Sequence, residues 1–307
     1  MKDIKVSIIC LAYNHEKYIS NCLDSLLEQN TNFDYEILVH DDCSFDNTRE
    51  ILLDYKGKYP NIIKLIFEKE NIYSKGFDLT YDLFKKAKGD YIAFCECDDF
   101  WCDKNKLQKQ YDYLYENLDY VACVHNSKIV DIDNKQIGLF NKSKYKNDIN
   151  LTLDDILNQH GYIFHISSLM CRKSVCISKP NYLTLYGIAD YPLFIWIIIN
   201  GKIRYFTNIS SCYRSNNPDS WSGKNINNKN RLIKIDKEII KMLNDLNINT
   251  NYKYNDEITK TIYSWNYQIY CINGDIRSII QNNKYRKKYI KDRLSRIKNG
   301  LLKYGKK

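Results

Sequence analysis

The sequence has no apolar run approaching the ~18 residues that a membrane-crossing helix requires. Its longest candidate, Tyr191 to Asn200, is short and contains Pro192. No Gly-x-Gly-x-x-Gly is present, which excludes the dinucleotide fingerprint of a dehydrogenase, and there is no P-loop. A nucleotidyltransferase needs a Gly-rich loop with a basic residue after its first strand, and Tyr13-Asn14-His15 has no glycine there. No Cys-x-x-Cys pair occurs, so Cys95, Cys97 and Cys102, the closest group, lack the spacing of a structural zinc site. The N-terminal Met-Lys-Asp-Ile-Lys runs into Val6–Ala12, an apolar segment too short for a signal-peptide core. The eleven cysteines are odd in number and several sit inside apolar runs (Cys10, Cys95, Cys123), so reduced thiols in a cytosolic protein are expected. Internal repeats are also absent.

What is present is a globular composition. The 307 residues are 44% hydrophobic and 27% charged, longer than the usual ~100–200-residue domain. Lys and Arg exceed Asp and Glu by 46 to 37, giving +9. Between Lys284 and Lys307 eleven basic residues face one acid, Asp292, so this stretch alone carries +10 and the other 283 residues sum to −1. A nucleic-acid binder would spread basic charge over one face of the fold, so no nucleic-acid partner is expected.

The first 130 residues alternate strand and helix. Residues 5–12 form a continuous apolar run, as in a strand covered on both faces. Helical spacing over 15–29 follows, then a strand at 35–40, a helix from Asp46 or Asn47 to about Tyr55, and a strand at 62–67. A helix at 79–87 ends before Gly89; a strand at 91–95, a helix at 103–117 and a strand at 120–125 complete the series. This order predicts an α/β fold with a mostly parallel sheet and helices on both faces. Residues 128–223 are less regular: a hairpin turn at 131–135, helices at 154–158 and 191–200, and strands at 203–206 and 211–214. A polar linker near 225–230 leads to three helices, 232–246, 258–271 and 286–302. The expected organisation is one domain over 1–223, split into 1–127 and 128–223, and a helical region over 224–307.

Ligands in open α/β sheets sit outside the carboxyl ends of the strands. Two acid pairs fall at such ends, Asp41-Asp42 after the second strand and Asp98-Asp99 after the fourth. Adjacent carboxylates repel unless a cation or donor relieves them, and a hard divalent cation prefers carboxylate oxygens while keeping positions open for phosphate. Asp98-Asp99 is therefore a candidate Mg2+ or Mn2+ and diphosphate site; the plain alternative is a pair of solvated loop acids. Asp154-Asp155 fits a helix start, and Asp131-x-Asp133 a turn.

Three segments in this order carry a resemblance. They are Val6-Ser7-Ile8-Ile9-Cys10-Leu11-Ala12-Tyr13-Asn14, then Asp41-Asp42-Cys43-Ser44-Phe45-Asp46-Asn47-Thr48, then Gly89 to Trp101 with Glu96-Cys97-Asp98-Asp99. Ser167 to Arg172, Asp190-Tyr191-Pro192-Leu193, and Tyr213-Arg214 ahead of Trp221-Ser222 extend it. Over about residues 4–223 the chain resembles family 2 glycosyltransferases of GT-A fold, of the bacterial surface-polysaccharide type. The resemblance implies an inverting, metal-dependent enzyme of the hexosyltransferase class. It would move a sugar from a nucleoside-diphosphate sugar, UDP being the expected carrier, to a hydroxyl of a glycan or lipid-linked acceptor. A non-catalytic sugar-nucleotide-binding subunit, or a sugar nucleotidyltransferase, is the alternative.

By position, Ala12, Tyr13 and Asn14 would meet the nucleotide, with Tyr13 stacking on the base or else packing locally. Asp42 would accept the base N3–H, with Asp41 supporting the loop. Asp98 would contact the ribose, and Asp99 would bind Mn2+ or Mg2+. Asp190 would be the general base; it also suits a helix N-cap before Tyr191-Pro192. Members often carry Glu before this Asp, where the chain has Ala189. Arg214 would meet the pyrophosphate or pair with a nearby acid. Trp101, His165 and Ser167 would line the acceptor or pyrophosphate side, and His125 and His160 would have packing or surface roles.

In the basic tail, Tyr285, Ile290, Leu294, Ile297 and Leu301 recur at helical spacing among Lys and Arg. Such a helix lies on an anionic membrane surface, or packs its apolar face on the body or on a second copy of the chain in a homodimer. The first option places the protein in the cytoplasm, peripheral at the inner face of the plasma membrane.

Overall fold

The computed structural model describes residues 3–75, 79–141, 145–158, 163–185, 188–215 and 228–304, with side chains up to 293. Trp221, Ser222, His160 and half of the expected linker, residues 225–227, lie outside the described residues. The chain divides into two compact units, 1–220 and 221–307.

The first unit is built on one ten-stranded sheet. Its parallel half comes from β1 (Ile4–Ala12), β2 (Asp34–Asp41), β3 (Ile63–Phe67) and β4 (Tyr91–Phe94), in the order β3-β2-β1-β4. The helices between them are α1 (Ile19–Leu27), α2 (Thr48–Lys58) and α3 (Leu79–Lys86). The apolar runs explain this half: Val6, Ile8, Ile9, Cys10, Ile37 and Val39 are all buried, as strands covered on both faces must be. The helix spacing works likewise, since α1 buries Ile19, Cys22, Leu23 and Leu26 along one stripe.

The other half is mixed. It holds β5 (Phe100–Trp101), β6 (Tyr120–Val130), β7 (Gln136–Leu139), β8 (Ile149–Asn150), β9 (Met170–Arg172) and β10 (Lys202–Arg214). The helices here are α4 (Lys106–Glu116), α5 (Leu153–Asn158), α6 (Lys173–Ile177) and α7 (Asp190–Asn200). β9 inserts antiparallel between β4 and β6, while β10 runs parallel to β6 and antiparallel to β5 and β8. The strands expected at 203–206 and 211–214 are one strand, β10, which crosses the polar Thr207-Asn208 stretch with shifts of register around Ile209. The expected turn at 131–135 closes the β6–β7 hairpin, where Asn134 takes a positive φ of 65°.

The second unit contains α8 (Lys229–Asn249), α9 (Asn255–Asn273), α10 (Ile276–Gln281) and α11 (Asn283–Tyr304). Asn228 and Asp275 cap α8 and α10 through Arg231 and Ser278 N–H groups. Tyr267, Ile279 and Tyr285 form a buried cluster, with Tyr263, Tyr270 and Tyr289 against it. Tyr285 stacks on Tyr263 at 4.3 Å between centroids. The expected single apolar stripe on the tail therefore divides: Tyr285 faces inward, whereas Ile290 is 52% exposed. Among the described residues no helix is long and apolar enough to cross a membrane.

Gly89 has a stricter reason than ending α3. A Cβ there would sit 2.7 Å from Ser7 N and Val6 C and 2.8 Å from the Lys5 carbonyl oxygen, all backbone of β1. Its own N–H donates to Ser7 Oγ at 2.9 Å, and that hydroxyl in turn reaches Glu36 Oε1 at 2.8 Å. Gly89→Ala should therefore lower stability by about 1–3 kcal/mol. Denaturant titration would measure it, and an unchanged midpoint would show that β1 yields without cost.

Candidate functional site

The carboxyl ends of β1, β2 and β4 meet at one edge of the sheet. Ala12 pairs with Asp41, the Asp42 N–H donates to the Ala12 carbonyl at 2.9 Å, and the Cys97 N–H to Leu11 at 3.1 Å. Past these ends the β1 and β2 loops are laced together. Asn14 N–H donates to Ser44 Oγ at 2.9 Å, and Phe45 N–H returns to Asn14 Oδ1 at 3.0 Å. His15 N–H donates to Thr48 Oγ1 at 2.8 Å and Glu16 N–H to Asp46 Oδ2 at 3.0 Å. Asn14 and Cys43 take positive φ of 57° and 65°, a conformation that costs energy for residues with a side chain.

Asp41 is consumed by this scaffold, bonded to Ser44 and to the Arg49 guanidinium. Asp42 is buried, and its two oxygens accept the Ile72 and Tyr73 N–H groups at 2.8 and 3.1 Å. Each oxygen keeps a second lone pair. Tyr13 is half-buried, with Phe45 edge-on at 6.2 Å; Phe45 itself is 83% exposed.

The acids beyond β4 form the centre of the site. The Asp99 N–H donates to the Glu96 carbonyl at 2.9 Å, and this turn brings the carboxylates of residues 96 and 99 together. Ligand atoms of Glu96, Asp99 and His165 all lie within 4.8 Å of one another. Asp99 is 1% exposed; its Oδ1 accepts the Arg214 N–H at 2.8 Å. Its Oδ2 has no hydrogen-bond donor and lies 3.3 Å from His165 Nδ1. That nitrogen accepts the Ser167 N–H as the cap of the turn at 166–168, so in this tautomer it carries no proton to offer Asp99. Two acceptor atoms this close, neither bearing a proton, repel unless a proton or cation lies between them.

The charges tell the same story. Burial, with Asp98 and Asp190 nearby, pushes the Glu96 carboxyl up to about 8. Burial, with Asp98 and Glu96 nearby, pushes Asp99 well above the carboxylate range despite the opposing pull of Arg214. His165 is pushed down to about 3 by burial and is therefore neutral, the form that binds metal. Two carboxylates and a neutral imidazole suit Mn2+ or Mg2+, with the nitrogen favouring manganese.

Asp190, the first residue of α7, is solvent-accessible yet crowded by protein atoms. That crowding pushes its carboxyl up, against the Tyr191 N–H bond at 2.8 Å. Its negative charge contributes to raising Glu96. Asp98 is half-buried next to them.

Four expected residues take other places. Ser167 is fully buried, bonded to Ser211 Oγ at 3.1 Å, and Trp101 is buried with its Nε1–H on the Ser167 carbonyl at 3.0 Å. Neither side chain can line an acceptor surface; they hold the turn behind His165. Arg214 is also buried. Its guanidinium donates to the carbonyls of Asp98 (2.8 Å) and Asp131 (2.9 Å) and to Asn134 Oδ1 (2.7 Å), and lies over the Tyr18 ring. The fork a pyrophosphate would need is already engaged. His165 is moved from the acceptor side to Asp99. Glu96 is a candidate ligand that the sequence pattern did not single out; the four-residue turn Glu96–Asp99 was its available signal. His125 is buried in the core, its pKa pushed well down by burial.

A group with a raised folded-state pKa stabilises the protein at low pH and loses that contribution as pH rises. For Glu96 the window runs from its ordinary 4.5 to about 8. The metal-free chain should therefore melt at a lower temperature at pH 8 than at pH 5, by this linkage. Added Mn2+ should raise the melting temperature more at the higher pH. A Mn2+ effect independent of pH would remove these carboxylates from the metal's ligands.

Against known proteins, residues 7–177 match the family model described as glycosyl transferase family 2. An uncharacterised protein of Mycobacterium tuberculosis is 28% identical over 220 residues, 70% of this chain; the chain spans 60% of that relative's length. The UDP-Glc:alpha-D-GlcNAc-diphosphoundecaprenol beta-1,3-glucosyltransferase of Escherichia coli is 40% identical over 141 residues, 46% of this chain and 52% of its own. Among solved structures, Staphylococcus aureus TarS 1-349 in complex with UDP-GlcNAc superposes with a TM-score of 0.56 at 20% identity, covering 89% of this chain and 80% of its own. The sheet, its edge of acids and this likeness make the fold GT-A. With the family model matched over more than half its length, the chain belongs to glycosyl transferase family 2.

Proposed function

We propose that the protein is an inverting glycosyltransferase. It would take a sugar from a nucleoside diphosphate, UDP in the first instance, and place it on a hydroxyl of a glycan or lipid-linked acceptor in surface-polysaccharide synthesis. The observation that carries this reading is the meeting of Glu96, Asp99 and His165 beyond β4, with the charges of Asp98 and Asp190 near enough to raise Glu96. The E. coli relative's name, with UDP-glucose as donor and a diphosphoundecaprenol acceptor, supports UDP and a lipid-linked acceptor.

In this reading Ala12, Tyr13 and Asn14 receive the nucleotide, Tyr13 against the base. Asp42, fixed by two backbone N–H groups, turns a free lone pair to the base N3–H. Asp98 meets the ribose. Glu96, Asp99 and His165 would hold Mn2+ or Mg2+, which supplies positive charge opposite the departing diphosphate. Arg214 positions Asp98 and Asp99 through the backbone and contributes its charge from behind them. Asp190 takes the proton of the acceptor hydroxyl as its oxygen attacks the anomeric carbon from the face opposite the leaving group. Its raised pKa favours this, since a base works best when its pKa approaches the working pH.

Asp99→Asn should abolish Mn2+-dependent binding of UDP while leaving the fold intact. Calorimetric titration with and without Mn2+ would read it, and equal affinity in wild type under both conditions would count against a metal site. Asp190→Asn should leave UDP-sugar binding within about twofold and slow transfer by roughly 10^2- to 10^4-fold, the usual weight of general base catalysis. Near-normal turnover in that variant would assign the base elsewhere.

A further inference from the structure

The basic excess of the chain is concentrated in α11, and the structure shows how that helix is oriented within its own unit. Tyr285 is buried against Tyr263, Tyr267 and Tyr270, and Lys288 turns inward to Ser264 Oγ at 2.9 Å and over the Tyr267 ring. Asp292, the only acid between 284 and 307, is taken by the Tyr267 hydroxyl at 3.0 Å. The aromatic face and the one negative charge are thus both spent on packing. What faces outward is Lys284, Arg286, Lys287, Ile290, Lys291 and Arg293, all exposed. Among the described residues none of these five cations meets a carboxylate.

We propose that this outer face of α11 docks the protein on an anionic phospholipid surface. The mode differs from that of a free amphipathic helix, whose apolar stripe would sink into the bilayer. Here the stripe's first member is already buried in the helical unit, so attraction between these cations and lipid phosphates supplies the binding. Ile290 stands exposed among these cations; Ile276 and Ile280, one turn apart on α10, are likewise exposed. Each such isoleucine favours a lipid over a water-soluble polyanion, which has no apolar layer to receive it. Docking of this kind is reversible and salt-sensitive, because the Debye length shortens as salt rises. The inference stands apart from the donor-site reading, and either can fail alone.

The test is co-sedimentation of the full chain with phosphatidylcholine vesicles, with and without phosphatidylglycerol, across a salt series. Binding is expected only with phosphatidylglycerol and should fall steadily as salt rises. A variant carrying Arg286→Gln, Lys287→Gln and Lys291→Gln should partition roughly a hundredfold less, at about fivefold per basic residue. These side chains are exposed and meet no acid, so the variant keeps the fold; the salt series on the unmodified chain decides between the outcomes without any mutation. Equal binding to neutral vesicles, salt-independent binding or an unchanged triple variant would overturn the proposal. So would inorganic polyphosphate that binds as tightly as the vesicles and displaces the chain from them, since the face would then recognise any polyanion.

Discussion

Arg214 ties the site together. Its backbone N–H holds Asp99, its Nε holds the Asp98 carbonyl, and its remaining nitrogens hold the turn between β6 and β7. The ring of Tyr18, just before α1, lies against the guanidinium. One buried cation thus fixes segments from both halves of the sheet around a pair of acids. Burying it is tolerable because every part of its fork is met, and because the acids beside it need a positive charge nearby. Shortening this side chain would release several loops at once.

Arg214 leaves the balance of charge incomplete. Glu96, Asp98, Asp99 and Asp190 outnumber it, and His165 is neutral where it sits. The folded protein therefore accommodates this edge only by taking up protons or a cation. Such residual frustration is costly to a scaffold and useful to a site, since a ligand that relieves it gains binding energy the empty protein could not use. The laced β1 and β2 loops, with two residues at positive φ, are a second place where the chain departs from its preferred conformations.

Much of this was legible in the sequence. A continuous apolar run marked β1, and shorter apolar stretches marked β2 and β4, because strands buried on both faces are mostly apolar. Acid pairs directly after those runs marked the edge where a ligand sits. What local patterns could not convey was which distant residues meet. His165 reaches Asp99 because β9, short and unannounced, inserts between β4 and β6 and brings the preceding turn with it. Trp101 and Ser167 looked like acceptor contacts by position, yet they bond to each other in the interior. Tyr285 and Ile290 share a helical spacing class in the sequence, but the tyrosine cluster of α9 rotates only one of them inward. In each case a long-range contact overrode a local periodicity.

The lacing of the two loops has a consequence for substitutions made in either. Residues 14 to 16 bond one by one with residues 44 to 48, from backbone to side chain in one direction and back again in the other. A change at Ser44, Asp46 or Thr48 that removes its side-chain oxygen leaves a donor of the other loop without its acceptor. The two loops are far apart in the chain but form one bonded unit, so a substitution in either is felt in both.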